Sequence, residues 1–223
     1  MTLETQKQSF AFSPPPSEMT ETVLYAAHSR RIKSSRFAPF AGYRMPLWFS
    51  SIRAEHKAVR KAAGLFDCAH MGVFSIQGAH AEAFLNIATT NDVTKLQSGQ
   101  AQYSYLLDAE GSVLDDIIVY CRASYDYLMV VNAANKEKVK AWLNGLLDNK
   151  WIIDPARPDR GIGFIPKIQD HENFQKNQRL VDIAIQGPKA ADIIASLADT
   201  ALDLAALKSF HFQDIKLQGI SCL

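Results

Sequence analysis

The chain has 223 residues, a formal net charge of +1 and a hydrophobic content of 48%. This apolar fraction excludes a wholly disordered chain, and the near-neutral charge argues against a nucleic-acid partner, which would need a basic surface. No run reaches the ~18 apolar residues of a membrane helix and the N-terminus lacks a secretory signal pattern, so we expect a cytoplasmic protein with no membrane partner.

Residues 1–16 end in three consecutive prolines and predict a disordered arm, so the folded part is expected to be residues 17–223. Apolar side chains then recur at helical spacing in three segments and alternate as in a strand in a fourth. These segments are, in chain order, a helix after Ser17, a helix over Ser51–Ala63, a strand over residues 73–77 and a helix over residues 79–88.

The middle of the chain gives the clearest pattern. Strands over Ala101–Leu107 and Val113–Tyr120 are joined by Asp108-Ala109-Glu110-Gly111, which is typical of a hairpin. A third strand follows over Tyr125–Val131, and apolar residues at helical spacing predict a helix over residues 135–147.

The last third begins with a polar segment, residues 154–179, that is rich in Pro and Gly and predicts a long surface loop or insertion. A strand over Val181–Ile185, a helix opened by Gly187-Pro188 and a strand over residues 210–217 follow. The order of these elements indicates an α+β fold.

The segment VLDDIIVY, residues 113–120, places two adjacent carboxylates inside an apolar run. Neighbouring residues of a strand point to opposite faces, so Asp116 shares a face with Leu114 and Ile118, and Asp115 lies on the other face. A carboxylate held near apolar side chains suits acid–base chemistry or the stabilisation of a cationic intermediate. The pattern leaves open which Asp faces a pocket, and whether both are solvated at the mouth of the hairpin.

Three other positions are candidates for chemistry. Tyr103, on the neighbouring strand, could reach across the sheet, or could simply pack there. Cys68 and His70 lie on one face if that segment is extended, but a packed cysteine beside a structural histidine is the more common arrangement. Asn132 ends the third strand, where it is either a helix cap or turn residue or a binding side chain. The three cysteines have neither disulfide nor CxxC spacing, so no metal site is predicted.

Six segments, taken together, resemble the aminomethyltransferase (T-protein) family of the glycine cleavage system. They occur in the family's order and cover about residues 22–217; the combination of VNAAN, GxxxDD and a later QGP is the most specific. The segments are PFAGYRMP (39–46), EHKAVRKAAGLFDCAHMG (55–72), TNDVTKL (90–96), AQYSYLLDAEGSVLDDIIVY (101–120), LMVVNAANKEK (128–138) and IAIQGPKA (183–190).

The resemblance implies the folate-binding α+β fold of this family, with mixed and antiparallel sheets and packed helices. It implies two interleaved subdomains, residues 17–66 with 148–223 and residues 67–147, with residues 154–179 as an insertion. The family continues beyond Leu217 into a Gly-Tyr-Thr-Gly-Glu segment and a C-terminal barrel, which this sequence lacks. We therefore expect an incomplete N-terminal region with apolar surface exposed near its last strand.

The resemblance also implies the residues of the site. Asp116, the second residue of the Asp-Asp pair, is expected to be the catalytic carboxylate beside the pterin, stabilising positive charge as the methylene group is transferred. The expected folate contacts are Met71, Tyr103, Asp116, Ile118, Val130 and Asn132.

The implied function is transfer of the methylene group from aminomethyl-lipoyl H-protein to the acceptor substrate tetrahydrofolate, with release of ammonia. The expected partners are lipoylated H-protein and, for a split enzyme, a separately encoded C-terminal half. The chain departs from the family's pattern at Pro39 and Tyr43, within a usual Asp-Phe-x-Gly-Trp, and at Ala69, where Ser is usual. Two alternatives stay open: a folate-dependent demethylase of a small methylated compound, and a truncated, non-catalytic folate-binding remnant.

Overall fold

The computed structural model describes residues 7–14, 18–175 and 178–223. These residues form two compact units. The first unit contains the described residues of segments 1–16 and 71–180, and the second unit contains those of segments 17–70 and 181–223. The units are interleaved along the chain, with boundaries after residues 70 and 180, where the sequence-based division placed them after residues 66 and 147.

Five α-helices and eleven strands lie in the described residues. The helices are α1 (Tyr25–Ser29), α2 (Ile52–Lys61), α3 (Ala81–Ala88), α4 (Lys136–Leu147) and α5 (Ala190–Leu197). The strands are β1 (Phe37–Phe40), β2 (Tyr43–Pro46), β3 (Gly64–Asp67), β4 (Gly72–Gln77), β5 (Gln100–Leu107), β6 (Val113–Ala123), β7 (Asp126–Val131), β8 (Lys167–Asp170), β9 (Ile183–Gln186), β10 (Ile215–Leu217) and β11 (Ile220–Cys222).

No helix in residues 7–14, 18–175 and 178–223 is both long and apolar enough to span a membrane.

A five-stranded sheet in the order β5-β6-β7-β4-β8 organises the first unit, and every neighbouring pair is antiparallel. The predicted hairpin between β5 and β6 is confirmed. The Asp108 carboxylate accepts hydrogen bonds from the backbone N–H groups of Glu110 and Ser112, and Gly111 takes a φ of +85° that favours glycine. The side chain of Asp108 thus closes the turn and helps to fix the register of the two strands.

The core of the first unit lies on the face of the sheet that packs against α3 and α4. Burial of each large apolar side chain contributes about 1.5–3 kcal/mol, so this face supplies most of the driving force for folding. Its fully buried members include Ile76, Phe84, Leu85, Met129 and Leu143.

Residues 7–14 differ from the expected disordered arm. The backbone N–H of Gln8 donates to the carbonyl of Lys150, and the N–H of Ile152 donates to the carbonyl of Gln8. The Phe10 ring packs edge-on against Trp142 and Trp151, with centroid distances of 5.1 Å to each. An apolar contact and two backbone hydrogen bonds therefore order this segment. Residues 1–6 and 15–16 of the predicted arm lie outside the described residues.

Residues 148–180 belong to the first unit because their second half completes its sheet. β8 pairs with β4, and Lys140 Nζ of α4 donates to the Asp170 carboxylate at 2.9 Å. The predicted loop over residues 154–179 therefore contains a strand and a short 3-10 helix, His171–Asn173. Residues 152–166 contain no helix or strand, and residues 176–177 lie outside the described part.

The second unit contains three two-stranded antiparallel sheets, β1-β2, β3-β9 and β10-β11. Ser51 caps α2, because its Oγ accepts from the backbone N–H of Ala54. Asp67, at the end of β3, is buried and accepts hydrogen bonds from Thr22 Oγ1 at 2.6 Å and from His28 Nε2 at 2.9 Å. These bonds hold the segment before β1 against β3.

Apolar side chains are exposed near the last strands of the second unit, among them Phe210, Ile220 and Leu223. The final strand is shorter than predicted: Phe210 has a φ of +56° and lies outside β10. A positive φ is incompatible with extended strand backbone, which excludes Phe210 from the strand; β10 begins at Ile215.

The buried pair His171 and Ser75 links the 3-10 helix to β4. His171 Nε2 lies 2.5 Å from Ser75 Oγ, and the backbone N–H of Leu180 donates to His171 Nδ1 at 3.4 Å. Burial lowers the pKa of His171, because desolvation disfavours the charged imidazolium. The neutral ring is the form that can accept the bond from Leu180.

We expect acid to destabilise the first unit through His171. Its pKa is lower in the folded than in the unfolded chain, so its contribution to stability is present above the ordinary histidine pKa of ~6.5 and is lost as the pH falls through the folded-state value. The loss is at most about 1.4 kcal/mol per pH unit. Urea unfolding between pH 7.5 and 5 measures it. His171→Gln should reduce the pH dependence, and His56→Gln, at an exposed position, should not; equal slopes for both variants would contradict this role.

Candidate functional site

Strand register brings three of the predicted folate contacts side by side. Tyr103 of β5 pairs with Ile118 of β6, and Ile118 pairs with Val130 of β7. Their neighbours along the strands point into the core with α3 and α4, so these three side chains lie on the opposite face of the sheet. We call this the tyrosine face. Tyr103 is 42% exposed there, and Ile118 and Val130 are half-buried.

Asp116 lies on the tyrosine face with both carboxylate oxygens engaged. Tyr103 Oη donates to Asp116 Oδ2 at 2.9 Å, and Asn132 Nδ2 donates to Asp116 Oδ1 at 2.8 Å. The side chain is nevertheless exposed, and each carboxylate oxygen can accept a further bond. The arrangement is an oriented carboxylate that remains accessible to a ligand.

Tyr105 pairs with Asp116 across the strands, and its hydroxyl lies 3.5 Å from that of Tyr103. Contact with the Tyr105 hydroxyl and the hydrogen bond to Asp116 raise the pKa of Tyr103. Tyr103 has one hydroxyl proton, and the Asp116 oxygen is the nearer acceptor. Tyr103 is therefore a neutral donor to Asp116 throughout the physiological range.

Asp115 lies on the opposite face and is only 2% exposed. Its carboxylate accepts from the backbone N–H of Asn132 at 2.9 Å, from Asn132 Nδ2 at 3.0 Å and from Asn135 Nδ2 at 2.5 Å. The alternation of the strand thus separates the two acids, leaving Asp116 accessible and Asp115 enclosed. The alternative in which both are solvated is wrong.

A bulge corrects one detail of the predicted alternation. Leu106 pairs with Asp115 and Leu107 with Val113, so Leu114 is an extra residue in β6. Leu114 consequently packs in the core instead of sharing the face of Asp116.

Asn132 joins the two carboxylates. It precedes the 3-10 helix Ala133–Asn135 but its side chain does not cap that helix. The amide group instead donates to Asp115 and to Asp116. The interpretation of Asn132 as a helix cap is therefore wrong. Sequence reasoning missed Asn135, although its position three residues after Asn132 in VNAAN is the signal that could have identified it.

Met71 is half-buried at the start of β4, beside Gly72, which pairs with Val131 of β7. A Cβ on Gly72 would lie 2.7 Å from Val131 Cγ2 and 2.8 Å from Lys136 Cγ, so only glycine allows this approach. Met71 therefore lies one residue before β4, the strand that pairs with β7.

The pairing of Cys68 with His70 as a nucleophile finds no support. Burial raises the pKa of the Cys68 thiol and lowers the pKa of His70, and both shifts favour the neutral forms over a thiolate–imidazolium pair. His70 Nδ1 is buried with no hydrogen-bond partner among the described residues. Within the described ranges, no group of three or more His, Cys, Asp or Glu side chains is placed to hold a metal ion.

A cavity of about 360 Å³ lies on the helix side of the sheet. Its walls include Leu107, Trp142, Ile153 and Ile162, and none of the predicted site residues lines it.

The sequence profile of the GCVT N-terminal domain matches residues 24–223. An aminomethyltransferase of Caldanaerobacter subterraneus subsp. tengcongensis is 39% identical over 206 residues, which are 92% of this chain and 49% of that protein. One from Chloroherpeton thalassium is 41% identical over 194 residues, 87% of this chain and 47% of that protein. The crystal structure of glycine cleavage system aminomethyltransferase T from Bartonella henselae superposes with a TM-score of 0.69 at 30% identity, covering 87% of this chain and 47% of that one.

The α+β architecture is therefore that of the glycine cleavage T-proteins, as the fold prediction stated. The chain belongs to the GCVT N-terminal domain family. It spans about half the length of the curated relatives it matches.

We expect the two acids to differ in their effect on stability. Asp115→Ala removes the shared acceptor of the Asn132 backbone N–H, Asn132 Nδ2 and Asn135 Nδ2, which should lower the free energy of unfolding by about 2–4 kcal/mol. Asp116→Ala removes an exposed side chain and should change it by no more than about 1 kcal/mol. Urea denaturation followed by circular dichroism compares the two, and equal losses would contradict the burial difference.

Proposed function

We propose that the tyrosine face binds tetrahydrofolate and that the chain takes part in transfer of a one-carbon unit from aminomethyl-lipoyl H-protein to this acceptor, with release of ammonia. The observation that supports this most directly is the exposed carboxylate of Asp116, held between Tyr103 and Asn132. Membership of a family whose relatives are named aminomethyltransferases supports the reaction class.

The side chains around Asp116 suit a flat, polar-edged heterocycle. Ile118 and Val130 form an apolar surface for one ring face, and Asp116 can accept a hydrogen bond from a ring N–H. Asn132 Oδ1 has no partner in the described residues and provides a second acceptor. In this proposal Met71 completes the apolar surface from β4.

Asp116 also supplies the electrostatics that the transfer requires. Positive charge develops on the carbon–nitrogen unit as ammonia leaves and the carbon passes to the folate, and a nearby carboxylate stabilises that charge. Because Tyr103 and Asn132 fix both oxygens, the carboxylate does not have to reorient as the charge appears. Such preorganisation is what lowers the barrier.

The relatives are about twice as long as the matched region, so we propose that activity requires the region corresponding to their remaining length. That region can be supplied on the same polypeptide or on a separate one. The second unit offers apolar surface for such a contact on the β3-β9 sheet, where Leu65, Phe66 and Ile183 are exposed.

We expect Asp116→Asn to weaken tetrahydrofolate binding at least about tenfold and to lower the transfer rate about a hundredfold or more, because the charge that stabilises the cationic intermediate is lost. Asp116→Ala should impair transfer more than Asp115→Ala per folded molecule. Titration calorimetry and ammonia release, with lipoylated H-protein and a polypeptide covering the relatives' remaining length, provide the measurements.

Glu137→Gln, an exposed carboxyl change on α4, is the matched control. Equal losses of transfer rate per folded molecule for Asp115→Ala and Asp116→Ala would contradict the assignment of Asp116. Transfer from a free methylated amine without H-protein would instead support a folate-dependent demethylase. Absence of ammonia release by the chain, alone or with H-protein and the added polypeptide, would support a non-catalytic remnant.

A further inference from the structure

We infer that Asp115 is a positioning residue: it holds the Asn132 side chain in the orientation in which the amide group donates to Asp116. The consequence for catalysis rests on the proposed function of the tyrosine face. The positioning itself rests on geometry alone.

The surroundings of Asp115 are unusual for a buried carboxylate. In the described part of the chain it forms no ion pair, and its bonds come from the neutral amide groups of Asn132 and Asn135. Burying a carboxylate without a cation costs several kcal/mol, and an apolar residue of similar size would fill the same space at less cost. Stability alone therefore does not account for an acid at this position.

What Asp115 adds is control of one amide group. Asn132 Nδ2 lies 3.0 Å from Asp115 Oδ1, 2.8 Å from Asp116 Oδ1 and 3.1 Å from the Asp116 carbonyl oxygen. All three neighbours are acceptors, so the nitrogen rather than the oxygen of the amide must face them. Asp115 also accepts from the Asn132 backbone N–H, which fixes the residue at two points.

The chain provides few other restraints on this side chain. Asn132 follows the last residue of β7, and it does not cap the helix that begins at Ala133. Without the Asp115 carboxylate, only Asp116 would hold the amide, and Asp116 is itself exposed. The two acids therefore act in series: Asp115 orients Asn132, and Asn132 orients Asp116.

Asp115→Asn tests this with almost no change in shape. Its amide nitrogen replaces one acceptor by a donor, which faces the donors of Asn132 and Asn135 and breaks at least one bond. The readout without ligand is the hydrogen-exchange rate of the Asn132 side-chain NH₂ in ¹H–¹⁵N spectra of the full chain. We expect slow exchange in the wild type, compared with exposed Asn144, and at least tenfold faster exchange in the variant.

A double-mutant cycle then tests whether Asp115 affects tetrahydrofolate binding through Asn132. Asp115→Asn and Asn132→Ala should each weaken tetrahydrofolate binding about tenfold, and the double variant should be no weaker than Asn132→Ala alone. The Glu137→Gln control should leave both readouts unchanged. A hundredfold loss in the double variant would mean that Asp115 acts independently of Asn132, and the inference would be overturned.

The outcomes separate this inference from the proposed function. If the wild type does not bind tetrahydrofolate, the proposed function fails, while the exchange rates still decide the role of Asp115. If Asp115→Asn lowers stability but leaves the Asn132 amide protected, Asp115 is only structural. If the variant does not fold, the wild-type comparison decides: exchange of Asn132 as fast as that of Asn144 overturns the inference.

Discussion

The register of β5 against β6 is the constraint on which the candidate site depends. Because successive side chains of a strand point to opposite faces, one register sends Asp115 into the protein and leaves Asp116 beside Tyr103. A slip of one residue would exchange the two acids and bury the wrong charge. The Asp108 turn at one end of the hairpin and the extra residue Leu114 next to it fix that register.

The same alternation gives the two faces of the sheet in the first unit different roles. The face against α3 and α4 supplies apolar burial, while the tyrosine face carries polar groups that the core does not need. Asn132 connects the two, since it follows β7 and reaches both carboxylates. A rigid sheet with a few oriented polar side chains is a common basis for small-molecule sites.

Much of the fold could be predicted from local patterns. The hairpin, the third strand and α4 follow from periodicity, because their core-facing residues are buried on one side only. The packing of Phe10 and the pairing of β8 depend on partners far away in sequence, and the polar segment KIQD carries no strand signal by itself. The alternation of side chains along β6 could not show which of the two acids is exposed. The bulge at Leu114 changes that alternation, and it depends on pairing with β5. Asp116 was identified by family resemblance, and its role stays a prediction.

The pairing of β3 with β9 has a consequence for how the chain folds. It joins residues on either side of the whole 71–180 segment, so a random coil would have to close a very long loop to form it. Two of the four pairings in the sheet of the first unit, β5-β6 and β6-β7, join strands that are adjacent in sequence, and such local contacts form quickly. During synthesis the backbone of β3 must therefore stay unpaired until β9 has been made. Folding of the inserted unit shortens the effective loop, and so governs when the second unit can form.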